Sequence, residues 1–384
     1  MTCGCQAGRA RYSGEAMKTI TDQVTTLLES AQQARENGQP LIKIGIDAHL
    51  ASLVIVEQWD EQAPKAPRKL GVDGLLRAVA EHRLEKRTVF ACYEAGPLGF
   101  GLHTQLTTAG AHTLVVRPRT LAEFGQRLKT DRRDAQQLAC NLDRFIGGNI
   151  QALAPVAVPS VEEQQLRTIA RQREHLSRQR RRELQQVRGT ALFHGYALRG
   201  EWWRKSHWAA VRSTIPDWLQ VVVDATLERV AIIEGQMEKL EDAMIATVPT
   251  VRPKGLGALT YALVEREIID WRRFRNGKQV ACYTGLVPSE SSSGGHKRQG
   301  AITKHGNPIV RHLLVECAWR LVTYQPDYKP LKKWGPVLTD ASASRARRKK
   351  LIVALARQWA VDLWRWRTGR IQLADLGLVL AHTD

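Results

Sequence analysis

The sequence predicts an α/β domain with a mixed sheet, then a long helical region, then a mainly α-helical C-terminal domain. Between residues 41 and 146, short apolar runs rich in Val and Ile alternate with stretches of helical periodicity, which is typical of an α/β fold. Residues 161–246 contain two long, highly charged stretches whose apolar residues recur at helical spacing. A further strong helical pattern covers residues 341–370.

The strands of the α/β domain are predicted from runs of β-branched and aromatic residues. Helices are predicted at Gly71–His82, from the turn Ala95-Gly-Pro97 to about Ala109, and at Asp131–Phe145. A tight connection joins the first two strands and helices separate the later ones, so a mixed sheet is expected. The predicted strands are Leu41–Ile46, Ser52–Val56, Thr88–Tyr93 and Thr113–Val116.

The helical region follows a stretch, residues 147–160, that contains two Gly and two Pro and is predicted to be a linker. Helices are predicted at Val161–Val187 and Asp224–Ala246, either as an antiparallel pair within one chain or as an intermolecular coiled coil. The resulting organisation has four parts. They are an N-terminal extension, the α/β domain, the helical region and the C-terminal domain, at residues 1–40, 41–150, 151–246 and 247–384.

The charge of the chain points to a polyanionic partner. Its 384 residues include 57 Lys and Arg against 38 Asp and Glu, a formal net charge of +19, and 40 of the cations are Arg. Because a guanidinium group can grip phosphate with two hydrogen bonds and stack on bases, nucleic acid is the expected partner. No apolar run approaches the roughly 18 residues of a membrane span, and the six cysteines lack the C-x-x-C spacing of zinc sites.

Four carboxylates are the candidate metal ligands in this basic chain. Asp47 and Glu94 end two predicted strands, where open α/β sheets place their chemistry. Asp131 and Asp134 lie three residues apart, so they share one face of their helix. Such a set could hold two Mg²⁺ ions. Each acid could instead serve only as a cap or turn residue.

A serine-rich segment is the candidate nucleophile region. Ser291, Ser292 and Ser293 precede Gly294-Gly295, and basic residues follow. A serine hydroxyl attacks phosphate only when it is activated and the developing charge is stabilised. Composition alone favours a flexible loop beside a basic patch over a catalytic serine.

Several ordered motifs resemble the DEDD transposases of the "one-ten" insertion-sequence family. The C-terminal stretch also resembles the eleven-eleven subgroup of that family. The similarity extends from about Leu41 to Arg370. The motifs are Gly45-Ile-Asp47-Ala-His49, Tyr93-Glu-Ala-Gly-Pro97, Lys129-Thr-Asp-Arg-Arg-Asp134, Gly285-Leu-Val-Pro288, Ser292-Ser-Gly-Gly295, Gly300-Ala-Ile-Thr-Lys304, Gly306-Asn307 with Arg311, and Ala354–Trp364.

The resemblance implies a RuvC-like domain of RNase H-type fold, a coiled-coil segment and a C-terminal transposase domain. It assigns the Mg²⁺-binding tetrad to Asp47, Glu94, Asp131 and Asp134. It assigns the catalytic serine to Ser293, with Ser292 as the alternative, and this assignment replaces the flexible-loop interpretation. The serine is expected to attack DNA and form a phosphoserine link, which the hydroxyl of another strand then resolves.

The family also implies the partners. Donor and target DNA are the substrates, a noncoding bridge RNA is the expected guide, and the chain is expected to form a homo-oligomer, from dimer to tetramer. The expected location is the bacterial cytoplasm, at the nucleoid. Nucleic-acid contacts are predicted for basic residues near the serine and on the Arg-rich helix: Arg298, Lys304, Arg311, Arg171 and Arg178.

Two other functions fit the same residues. One is a metal-dependent RuvC-like nuclease or Holliday-junction resolvase, in which water attacks and Ser293 is inert. The other is a nucleic-acid-binding module that keeps the fold without catalysis. Ser293→Ala distinguishes the first from a serine recombinase, and Asp47→Asn distinguishes the second.

Overall fold

A computed structural model describes residues 20–50, 52–96, 98–118, 130–293 and 296–381. Within these ranges the chain forms two compact units, one ending at Ser160 and the other beginning at Val161. In the part of the chain that the structure describes, no helix is long and apolar enough to cross a membrane.

The first unit is built on a five-stranded sheet with the order β3-β2-β1-β4-β5. β1 pairs antiparallel with β2 and parallel with β4, so the predicted mixed sheet is confirmed. The order and directions are consistent with the RNase H-like fold that the resemblance implies. Sequence analysis missed β3, an edge strand of three residues. The strands are β1 Leu41–Ala48, β2 Leu53–Trp59, β3 Arg68–Leu70, β4 Thr88–Glu94 and β5 His112–Val116.

Within the described part of this unit, four helices accompany the sheet, and both faces of β1 are buried. Ile42, Ile44 and Ile46 pack with residues of α2 and α3, whereas Leu41 belongs to a second cluster with residues of α1 and α4. A strand buried on both faces reads as a nearly continuous apolar run, which is why β1 is easy to predict. The helices are α1 Ile20–Glu36, α2 Val72–Leu84, α3 Gly101–Thr108 and α4 Asp131–Ile146.

Gly45 in β1 allows α4 to lie directly against the sheet. A Cβ atom at this position would come within 2.2 Å of the carbonyl oxygen of Ala135 and 2.3 Å of the amide nitrogen of Ala139. Both are backbone atoms of α4, so neither can rotate away. We expect Gly45→Ala to lower the free energy of unfolding by about 3 kcal/mol, measured by urea denaturation.

Gly74 in α2 provides the matched control for this glycine. A Cβ atom there would meet only side-chain atoms of Leu70, at 3.6 and 3.7 Å, which is ordinary van der Waals contact. Because alanine is the better helix former, Gly74→Ala should raise the free energy of unfolding by about 0.5–1 kcal/mol. Equal effects of the two substitutions would contradict the close approach of α4 to β1.

Glu57 in β2 makes the first unit sensitive to acid. Burial by itself would raise the pKa of this carboxyl group, but hydrogen bonding to His82 and the positive charge of Arg68 lower it to about 2. A depressed carboxyl pKa contributes stability that is fully present above the ordinary value of 4.5 and is lost as the pH falls toward 2. The free energy of unfolding, measured by urea denaturation, should therefore fall as the pH is lowered from 4.5 toward 2. The decrease should be smaller in Glu57→Gln, which has no carboxyl group to protonate at this position.

The second unit is mainly helical, as predicted, and contains one two-stranded sheet. Two short 3₁₀ turns, Trp271–Arg273 and Ala374–Leu376, lie within it. Its helices are α5 Val161–Phe193, α6 Lys205–Arg212, α7 Asp217–Ile245, α8 Ala258–Ile268, α9 Gly277–Thr284, α10 Pro308–Tyr324, α11 Lys329–Thr339 and α12 Arg345–Arg367. Its strands are β6 Pro288–Ser293 and β7 His296–Ile302.

The two long helices α5 and α7 form an antiparallel hairpin within one chain. Among the described residues, three ion pairs connect the two helices. Residues later in α5 pair with residues earlier in α7, so the helices run in opposite directions. The predicted start of α7, Asp224, lies seven residues too late. Leu219 and Val223, near the actual start, are buried in the cluster that holds Trp202 and Trp208. The ion pairs are Arg173–Glu241, Arg180–Glu234 and Glu183–Arg229.

The core of the second unit is organised around α12. Trp359 is fully buried and Trp364 nearly so, which shows that these tryptophans pack in the core. Tyr328 packs edge-on against Trp359, and its hydroxyl donates a hydrogen bond of 2.8 Å to Oδ2 of the buried Asp362. This core supports the two-stranded sheet and the turns at its base.

Candidate functional site

The end of β1 and the start of α4 bring two of the predicted carboxylates together. Nε2 of His49 lies 3.3 Å from Oδ2 of Asp47 and 3.6 Å from Oδ1 of Asp131. One ligand atom from each of the three residues lies within 4.8 Å of the other two. The side chains of His49 and Asp131 are more than half exposed, so solvent and an incoming group can reach them.

The backbone explains why Asp131 and Asp134 reach this position. Thr130 precedes α4 in an extended conformation, and its carbonyl oxygen accepts hydrogen bonds from the amides of Arg133 and Asp134. The two acids therefore lie in the first helical turn, where the positive end of the helix dipole favours them. Gly45 in turn allows the helix to approach the strand that carries Asp47.

The electrostatics of Asp47 match a site for a cation. Partial burial raises the pKa of this carboxyl group, and the negative charges of Asp131 and Asp134 raise it further. The charge and hydrogen bond of His49 act in the opposite direction without cancelling the rise. A divalent cation bound among these oxygens would remove the repulsion, so the donor set fits the metal site that the resemblance implies.

Glu94 lies at the same edge of the sheet, on the neighbouring strand. β1 and β4 run parallel, and their last paired positions are Ile46 and Tyr93. Asp47 and Glu94 each follow directly after that pair, so they sit side by side at the carboxyl ends of the strands. Glu94 is half-buried but does not belong to the group of three ligand atoms.

Sequence analysis gave no role to His49. It follows β1 directly, two residues after Asp47, and an amide hydrogen bond to the carbonyl of Ser52 closes the turn there. The signal was present in the stretch Asp47-Ala-His49, because alternate residues of an extended chain point to the same side. The predicted strand ended at Ile46, so this alternation was not extended to His49.

The predicted serines lie on a β-hairpin. β6 and β7 pair antiparallel, and Ser292 and Ser293 stand opposite Lys297 and His296. The flexible-loop interpretation of composition was therefore wrong for Ser291–Ser293, which form strand. Gly294 and Gly295, like the side chains of Ser292 and Ser293, lie outside the described residues. Ser293 is the last residue of β6.

Arg311 fastens the base of this hairpin. Nη1 of Arg311 donates hydrogen bonds to the carbonyl oxygens of Thr284, Lys304 and Gly306, at 3.0, 3.3 and 3.5 Å. Gly285 adopts a left-handed conformation with φ of 66°. A Cβ atom on Gly306 would lie 2.2 Å from the carbonyl oxygen of Tyr283. The chain segments before β6 and after β7 are thus packed backbone to backbone.

Behind this base lies a buried acid, Glu267, at the end of α8. Its carboxylate accepts hydrogen bonds of 2.9 Å from Nε of Arg171 and 2.7 Å from Nδ2 of Asn307. Arg167 and the Tyr283 hydroxyl donate to the Glu267 backbone carbonyl at 3.0 and 2.9 Å. The side-chain hydrogen bond with Glu267 also raises the pKa of Arg171. Because Asn307 also caps α10, the network connects α5, α8, α9 and α10 to the hairpin base.

The basic residues predicted to contact nucleic acid have different surroundings. Arg311 and Arg171 have the intramolecular partners just described. Arg298 is exposed on β7 opposite Ser291, and Lys304 is exposed with a positive φ of 57°. Arg178 is exposed on α5, where its Nε donates a hydrogen bond of 3.3 Å to the carbonyl of Glu174. All five nucleic-acid contacts stay predictions.

A mixed sheet with acidic residues at its strand ends, joined in one chain to a basic helical unit, is typical of enzymes that cut nucleic acid. Comparison with known proteins identifies the family. A DEDD transposase family model matches residues 20–194. The model described as "Transposase IS116/IS110/IS902 family" matches residues 252–332. Both models describe transposases, a class of enzyme that cuts and rejoins DNA, and they match separate parts of this chain.

Individual relatives agree with this assignment. A Sinorhizobium fredii protein named as a transposase, y4rJ, is 29% identical over 331 residues, which cover 77% of this chain and 83% of the relative. A second protein of that organism named as a transposase, y4qE, is 34% identical over 64% of this chain and 62% of its own. The transposase for insertion sequence element IS1111A of Coxiella burnetii is 25% identical over 70% of this chain and 72% of its own.

Proposed function

We propose that the chain is the transposase of an insertion sequence and recombines donor and target DNA through attack by Ser293. The observation that carries the proposal is the presence of two distinct chemical sites in one chain. One is the group of carboxylates where β1 meets α4, and the other is a serine at the end of a hairpin strand whose base is braced.

The carboxylates Asp47, Glu94, Asp131 and Asp134 would hold the metal, proposed as two Mg²⁺ ions. When bound, such ions stabilise charge that develops on phosphate oxygens and orient the reacting groups. Asp47 and Asp131 contribute oxygens that already lie close together. Asp134 lies one helical turn from Asp131, and Glu94 extends the same edge of the sheet.

Ser293 acts as the nucleophile, with Ser292 as the alternative. A bond forms between Oγ of the serine and the scissile phosphorus while the bond from phosphorus to the leaving strand oxygen breaks. The serine loses one proton and the leaving strand gains one, so the exchange needs neither water nor ATP. The hydroxyl of another strand then displaces the serine, which regains its proton.

The remaining elements suit a nucleic-acid complex. The hydrogen bonds of Arg311 and Glu267 limit the motion of the hairpin base. Less conformational entropy is therefore lost when the serine is positioned for the reaction. The net charge of +19 suits DNA and a bridge RNA, which would be held through phosphates while base pairing supplies sequence. A homo-oligomer, from dimer to tetramer, is proposed so that several strands are processed together.

The proposal is tested by trapping the covalent intermediate. The protein is incubated with radiolabelled DNA of the element ends and Mg²⁺, with and without RNA transcribed from the flanks of the element, and run on denaturing gels. We expect a labelled band of protein–DNA adduct that disappears with a metal chelator. RNA guidance predicts that the adduct requires the RNA. Absence of the adduct under all conditions would overturn the serine mechanism.

A further inference from the structure

We propose that His49 is a direct ligand of the metal site and that its nitrogen makes the site prefer a transition-metal ion such as Mn²⁺ over Mg²⁺. The inference rests on the proposed function, because it adds a fifth ligand to the carboxylate set. It assigns a role to a residue that the DEDD pattern leaves out.

The first argument is geometric. Ligand atoms that share one metal ion at about 2.0–2.2 Å, with angles of about 90–110°, lie about 3–3.5 Å from one another. Nε2 of His49 lies 3.3 Å from the Asp47 oxygen and 3.6 Å from the Asp131 oxygen. Charge-assisted hydrogen bonds are shorter, at about 2.7–2.9 Å. The separation from Asp47 is at the long end of a hydrogen bond and the separation from Asp131 lies beyond one, whereas both are close to the spacing of neighbouring ligands of one ion.

The second argument concerns how the three atoms converge. Asp47 and His49 come from one side of the extended chain at the end of β1, whereas Asp131 comes from the start of α4. The His49 ring therefore reaches across from the sheet to the helix and contacts both carboxylates with one nitrogen. Its side chain is 57% exposed, so packing does not force it into this position.

The third argument is the chemistry of the donor set. Mg²⁺ selects oxygen ligands and keeps several waters, whereas imidazole nitrogen suits softer divalent ions. Affinity of a mixed nitrogen and oxygen site rises from Mn²⁺ along the first transition row. The addition of the His49 nitrogen to an otherwise carboxylate site therefore shifts the preference away from Mg²⁺.

The experiment uses Mn²⁺ as the probe and the full chain without DNA. Pulsed electron paramagnetic resonance detects hyperfine coupling between Mn²⁺ and a directly bound nitrogen, and calorimetric titration gives the Kd of Mn²⁺ and Mg²⁺. We expect nitrogen coupling in the wild type. In His49→Ala the coupling should vanish, the Kd for Mn²⁺ should rise about tenfold, and the Kd for Mg²⁺ should change much less.

Two further variants make the test specific. His175→Ala removes an exposed histidine on α5, in the other unit, and should leave the coupling and both Kd values unchanged. His49→Asp replaces the nitrogen by oxygen and should retain metal binding while the preference for Mn²⁺ over Mg²⁺ falls. Circular dichroism confirms that each variant is folded.

The outcomes separate this inference from the proposed function. Mn²⁺ bound without nitrogen coupling, or with the same affinity in His49→Ala, would overturn the role of His49 and leave the carboxylate site intact. Wild-type Mn²⁺ affinity in Asp47→Asn, or no binding by the wild type, would overturn the carboxylate site itself and this inference with it.

Discussion

Ser293→Ala is expected to abolish the protein–DNA adduct and to reduce strand cleavage at least about a thousandfold, because no other group at that position can form the covalent link. The methyl group of alanine fits a strand position, so the hairpin should still form. The measurement is a denaturing gel with labelled element-end DNA. Circular dichroism and Mn²⁺ binding should be unchanged, because the carboxylates belong to the other compact unit.

Ser292→Ala is the matched control for this substitution. Both serines lie in β6, opposite Lys297 and His296, so both replacements perturb the strand to a similar extent. Only Ser293→Ala should eliminate the adduct. Loss of the adduct in Ser292→Ala alone would transfer the role to Ser292. Continued cleavage without an adduct in Ser293→Ala would favour the resolvase in which water attacks.

Asp47→Asn is expected to reduce strand cleavage about a thousandfold while making the metal-free protein more stable to heat. The loss of activity follows because a metal at such a site contributes several kcal/mol of transition-state stabilisation. The gain in stability follows because the pKa of Asp47 is raised in the folded protein. A carboxyl group of this kind is costly to ionise, and its charge destabilises the fold at neutral pH.

The sign of this effect can be checked by pH and by metal. The difference in Tm between Asp47→Asn and the wild type should shrink as the pH falls from the raised pKa of Asp47 toward 3.8, the ordinary value, and should be absent below it, because the carboxyl group is then uncharged in both the folded and the unfolded protein. Saturating Mg²⁺ or Mn²⁺ should raise the Tm of the wild type and leave the variant almost unchanged. Scanning calorimetry measures both. A lower Tm for the metal-free variant would contradict the repulsion inferred among the carboxylates.

Much of the first unit was predictable because its strands are buried. β1 and β4 are largely apolar and carry an acid at the last or next-to-last position, and the paired strand ends place Asp47 beside Glu94. The sequence predicts that Asp131 lies at the start of a helix, but it does not predict the distance between Asp131 and Asp47. That distance depends on the contact of α4 with Gly45, which joins residues far apart in sequence.

The serine hairpin was not predictable from local sequence. Ser and Gly have low β-propensity, so Ser291–Ser293 read as a loop. Arg311 and the Glu267 network hold the chain segments on either side of the hairpin through contacts between residues far apart in sequence. Arg171 and Arg311 were predicted only to contact nucleic acid. Their hydrogen bonds within the chain were not predicted, because the partners lie far away in sequence.

The close packing at Gly45 bears on how related sequences are read. A single methyl group at Gly45 would displace the helix that carries Asp131 and Asp134, so a related sequence could lose the proposed metal site while it keeps every proposed reacting residue. A glycine at this position is therefore a further criterion, beside the proposed carboxylates and Ser293, for judging whether a related sequence encodes a working protein.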